Sequence, residues 1–199
     1  MKNIIVLFGL VVLLSTSANG QEAKSEFLKS PANWEFERFT LPPSFATNFP
    51  YKGVEELRFA PGMFNKDSSN YFSYAFVAQL ENTSSITQEQ VRNYLLSYFK
   101  GLCVATAKDR KLSIDTSKIN VFIQPKKGNP ENETIYNAVL NIFGVFADGA
   151  PVELNAEIKV LQDVKAVKTY LVFIASPQQK TAAIWKELYS IQKNVSILK

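Results

Sequence analysis

Carboxylates, lysines, tyrosines and aliphatic hydroxyls must carry any chemistry this chain performs, because its 199 residues contain no histidine and one cysteine, Cys103. Serine–histidine and cysteine–histidine nucleophiles, HExxH zinc sites and Cys/His metal clusters are thereby excluded. A lone cysteine also forbids an intramolecular disulfide. Among the acids, Glu35 and Glu37 stand two apart beside Trp34 and Phe36, so on a strand both point to one side. Paired carboxylates flanked by rings are what glycoside hydrolysis uses, one as proton donor and the other as nucleophile or base. The favoured expectation is plainer: a solvated acidic face, since charged side chains mostly stay in water. Glu55-Glu56 and Glu153/Glu157 are read the same way. Cys103, beside Leu102 and Phe99, is expected to be a small buried hydrophobe rather than a nucleophile. No glycine-rich phosphate loop follows any strand candidate, so no cofactor is implied, and no metal.

Two segments remain as binding candidates. One is a basic connector, in which Lys108, Arg110, Lys111, Lys118, Lys126 and Lys127 outnumber Asp109 and Asp115. It suits an anionic polysaccharide, a lipid headgroup or an acidic protein face. Only Phe122 lies within it and the net charge is just +4, so nucleic acid is not an expected partner. The other segment is aromatic, with twelve rings between Trp34 and Phe76. Phe72, Tyr74 and Phe76 alternate as core residues do. Phe45, Phe49 and Tyr51 sit in a proline-broken loop and are the rings expected at the surface, although packing over the sheet's end is an alternative. Phe45, Phe49, Tyr51, Lys126 and Lys127 are thus the candidate contacts for a ligand or partner.

The elements that must position these residues are marked by period and punctuation. Prolines at 42, 43, 50 and 61 leave room only for short strands near 34–40 and 54–60. Residues 71–80 alternate as a strand. Thr87 with Gln90 forms a capping box and Ile86 with Val91 a staple, opening a helix to about Asp109 with Val91, Leu95, Tyr98, Leu102 and Ala105 as its buried stripe. Strands are expected at 119–125, 134–146, 152–160 and 170–175, with Asp148-Gly149 as a hairpin turn and apolar residues on both faces of 134–146. Ser176-Pro177-Gln178-Gln179 reads as the start of a last helix, buried through Ile184, Leu188, Ile191 and Val195.

The order strands, helix, four strands, helix predicts an α+β fold: a single antiparallel sheet of about 6–7 strands with two main helices packed on it. Met1-Lys2-Asn3 and the apolar run Ile4–Leu14 read as an export signal over 1–20, cleaved near Ala18–Gly20 and too short to span a bilayer. Residues 21–33 are expected to be a flexible arm and 34–199 a single domain, periplasmic or extracellular, without a transmembrane segment. The last strand, its Ala-Ser-Pro turn and the Trp-bearing helix, over roughly 134–195, resemble the ending of Mog1/PsbP-like domains. The chain also resembles uncharacterised secreted bacterial proteins. The first resemblance implies an adaptor without catalysis. The expected function is therefore an exported, non-enzymatic binding or adaptor module for a protein, glycan or other anionic partner at the cell envelope. The alternative is a carboxylate-based hydrolase acting on glycan or cell-wall material.

Overall fold

The computed structural model describes residues 25–46, 48–128 and 134–197; the expected signal and residues 21–24 of the expected arm lie outside them. Seven strands form one antiparallel sheet: β1 Glu35–Leu41, β2 Gly53–Phe59, β3 Tyr74–Leu80, β4 Asn120–Pro125, β5 Thr134–Phe143, β6 Pro151–Asp163 and β7 Lys168–Ser176. Their spatial order is β1-β2-β3-β7-β6-β5-β4. Helix α1, Gln88–Asp109, covers one face and α2, Ala183–Lys193, lies on the other over β3 and β7. This is the α+β arrangement that the strand and helix patterns predict. No described helix is long and apolar enough to cross a membrane.

Strand alternation splits the apolar residues into two cores. Tyr74, Phe76, Ala78 and Leu80 of β3 join Leu171 and Phe173 of β7 beneath Val91, Leu95 and Phe99 of α1. Their neighbours Ala75, Val77, Val172 and Ile174 meet Ile184, Trp185, Leu188 and Ile191 from the other side. The central strands are apolar on both faces because both faces are covered. β5 carries buried apolar residues on both faces, as expected, with one exception. Tyr136, Ala138, Leu140 and Ile142 are buried on one face and Ile135 and Phe143 on the other, where Val139 is only half-buried because α2 sits over β3 and β7.

Helix α1 starts as its sequence dictates. The Gln90 N–H donates to Thr87 Oγ1 at 3.2 Å and the Thr87 N–H donates to Gln90 Oε1 at 2.8 Å. Such a cap stabilises a helix by about 1 kcal/mol. Helix α2 begins later than expected. Ser176 is the last residue of β7 and is buried; its hydroxyl bonds Ser73 Oγ at 2.8 Å and accepts the Gln178 N–H at 3.1 Å. With that side chain engaged in a turn, the helix opens at Ala183, without a side-chain cap.

The described part of the expected arm is docked. Phe27 and Leu28 are buried in the smaller core, and the Ser196 N–H donates to the Phe27 carbonyl at 3.1 Å.

Candidate functional site

A cavity of about 830 Å³ lies between β1–β2 and the C-terminal half of α1. The sheet, helix α1 and three loops build it. β1 presents Glu37 and Phe39, and β2 presents Leu57 and Phe59, on the α1 side of the sheet. α1 contributes Tyr98, Leu102, Ala105, Thr106 and Asp109, which recur at helical spacing along one side. These include Leu102 and Ala105, expected in the buried stripe but only half-buried, while Cys103 and Ala107 take the core positions. The loop after β1 supplies Phe45, whose ring meets Tyr98 edge-on at 5.1 Å and Phe39 at 6.5 Å. Opposite, Phe64 bridges Phe59 at 5.6 Å and Phe146 at 5.3 Å. Gly101 makes the loop's approach feasible, since a Cβ there would sit 2.5 Å from the Phe45 carbonyl oxygen.

Of the rings expected at the surface, Phe45 is half-buried and lines the cavity. Phe49 is buried, a correction to its expected place, and packs on Tyr94 at 4.6 Å. Tyr51 is half-buried against the same Phe49 and Tyr94. Proline-broken backbone keeps the loop irregular, yet large rings still gain from leaving water, so the loop folds onto the larger core. Lys126 donates to Glu157 at 2.8 Å and stands over the Tyr189 ring at 5.6 Å, whereas Lys127 is exposed. The aromatic and basic candidates are not brought together; they lie on opposite sides of the sheet.

The acids depart most from expectation. Glu35 and Glu37 do share a face, and Glu35 and Glu153 are exposed as expected. Glu55, Glu56 and Glu157 are instead buried. Glu55 points toward α1 and accepts hydrogen bonds from Tyr94 Oη at 2.8 Å and Tyr98 Oη at 2.7 Å. Burial pushes its carboxyl up to about 8, against the opposing pull of those two hydroxyls, so it is largely neutral at pH 7. The hydroxyl of buried Tyr74 has no hydrogen-bond partner among the described residues.

Glu56, next along β2, points the other way. It accepts the N–H groups of Glu26, Phe27 and Leu28 at 2.8, 2.9 and 3.0 Å, the Ser25 hydroxyl at 3.0 Å, and Arg38. Burial raises its pKa, but the donors outweigh that and hold the carboxyl below its ordinary value. Arg58 completes the clamp by donating to the carbonyls of Leu28 and Trp34. Glu157, on the α2 side of β6, is satisfied by Lys126 and lies 3.8 Å from Lys180. In each case burial is sustained by donors that come from distant chain segments, which is why composition alone pointed to solvent. The one local signal was Glu-Glu-Leu-Arg inside a strand pattern, placing charge on both faces at once.

Cys103 behaves as expected: it is buried, its Sγ lies 3.9 Å from the Phe143 carbonyl, and burial pushes its thiol up to about 11. Among the described residues no group of His, Cys, Asp and Glu is arranged to hold a metal ion.

Comparison with protein-family models, with curated proteins and with solved structures gives no match.

Proposed function

We propose that this chain is an exported, non-enzymatic binding module that holds a small, largely apolar molecule between β1–β2 and α1. The observation that carries the reading is the cavity of about 830 Å³, walled by aromatic rings from the sheet, the helix and three loops. That volume is in the range of small-molecule sites, and an apolar lining with few polar groups is their usual make-up. The export signal read over residues 1–20 and the resemblance of 134–195 to adaptor-type Mog1/PsbP-like domains support the rest. Phe45 is then a direct ligand contact, with Phe49 and Tyr51 behind it through Tyr94 and Tyr98.

The hydrolase alternative has less support. Glu55 has both carboxyl oxygens occupied by tyrosine hydroxyls and is absent from the cavity wall, and the wall's other carboxyl, Asp109, lies at the exposed end of α1, the ordinary place for a solvated charge.

Isothermal titration with small aromatic probes of neutral, cationic and anionic head groups tests the proposal. Leu102→Trp fills the cavity from a half-buried position. The expected result is saturable binding by one charge class or more, lost in that variant while its melting temperature is kept. Binding by no probe, or undiminished binding by the filled variant, overturns the proposal.

A further inference from the structure

We infer that the molecule held in this cavity is an organic cation, a quaternary or protonated amine on an apolar body; this rests on the binding reading above and names its ligand class. Two independent features of the wall converge on it. The first is the rings. Phe39, Phe45, Phe59, Phe64, Tyr98 and Phe146 all line the cavity, and ring faces carry the negative part of the aromatic quadrupole. A cation near such faces is attracted, and more so once desolvated.

The second is the charge inventory. Among the described residues, the charged side chains along the wall are Glu37, Arg38 and Asp109. Strand alternation turns the Arg38 guanidinium to the opposite face of the sheet, where it pairs with Glu56 and lies 3.1 Å from Glu26. The cavity therefore keeps two acids and no available cation. Glu37 is half-buried and has neither a hydrogen-bond nor an ion-pair partner among the described residues; Asp109, at the end of α1, has none for its side chain either. An unpartnered carboxylate in partly apolar surroundings is unfavourable until a cation or donor reaches it. Burial accordingly raises the Glu37 pKa with no opposing contribution.

An anionic ligand would meet Glu37 and Asp109 without compensation. A neutral one would fill the aromatic space and leave Glu37 unpaired. An ammonium satisfies both features at once, its methyl or methylene groups against the rings and its charge toward Glu37. Nothing here requires bond making: the ligand enters and leaves unchanged.

Three probes of matched shape separate these cases: para-hydroxyphenyltrimethylammonium, its uncharged isostere para-tert-butylphenol, and para-hydroxybenzenesulfonate. In calorimetric titrations of the whole protein the ammonium should bind about tenfold or more tighter than the isostere, and the sulfonate weakest. Glu37→Gln should narrow the gap between the ammonium and the isostere by weakening the ammonium, with the rings and Asp109 still favouring the cation. Asp109→Asn, at an exposed helix end, offers a second variant with little risk to folding, and should weaken only the ammonium. If the isostere binds as tightly as the ammonium, or if both variants leave their ratio intact, the cation assignment is wrong while the binding module stands. If none of the three binds, the binding reading fails first and the assignment falls with it.

Discussion

A carboxyl with no exposed surface must be neutral or well supplied with donors, and Glu55 is both. Its pKa rises from an ordinary 4.5 to about 8, so the folded state binds a proton that the unfolded chain has released. Linkage fixes the sign: Glu55's contribution is fully present below about pH 4.5 and is lost as pH climbs toward 8. Glu37, raised by burial, acts in the same direction. Urea denaturation between pH 4.5 and 9 should therefore show stability falling, by on the order of a few kcal/mol from Glu55. Glu55→Gln should flatten most of that slope; a slope unchanged in the variant would contradict the assignment. The tyrosines sort in the same assay. Tyr98→Phe removes a donor to Glu55 and should destabilise by about 1 kcal/mol, whereas Tyr74→Phe removes an unpaired hydroxyl and should be neutral or mildly stabilising.

At the scale of elements, the two helices differ in how openly their sequences declare them. Thr87 and Gln90 specify the start of α1 through contacts three residues apart, so that end was legible. Ser176 carries an equally good cap signature, but β7 runs into it and Ser73 from β3 engages its hydroxyl, a contact that no local window contains. The docked N-terminal segment was illegible for the same reason: its polar, aperiodic residues are ordered by Glu56 and Arg58 on β2. Glu56→Ala would leave three backbone N–H groups and Arg38 without that acceptor. It should cost roughly 3 kcal/mol or more and expose the amides of 26–28 to hydrogen exchange. Protection retained there would mean that the segment is held by Phe27 and Leu28 alone. Gly101 makes the opposite kind of prediction. Alanine normally improves a helix interior by about 1 kcal/mol over glycine. Here the added Cβ meets the Phe45 carbonyl at 2.5 Å, so Gly101→Ala should be destabilising and should weaken ligand binding by displacing the loop that carries Phe45. A more stable variant with intact binding would show that the loop yields at no cost.

For the molecule as a whole, period and punctuation were enough for the class of fold, because β6 alternates cleanly, β3 and β7 are apolar runs of strand length, and an antiparallel sheet can join neighbours through short turns. They were not enough for the site. The cavity exists because α1 stands off β1–β2 at its C-terminal half, leaving Leu102 and Ala105 between core and water, and the angle of a helix across a sheet is not written in its stripe. Phe45 and Glu37 were legible as separate candidates; that they line one cavity with Phe59, Phe64 and Phe146 is settled only by folding. The central claim is that this space is a ligand site, and methyl NMR tests it most directly. Met63, Leu57, Leu102 and Ala105 carry methyl groups along the wall, while Leu188 and Ile191 report on the far core. Titration with para-hydroxyphenyltrimethylammonium and its uncharged isostere should shift the first four resonances saturably and leave the other two in place. Shifts absent from all six, or spread evenly over both cores, would contradict a ligand site between β1–β2 and α1.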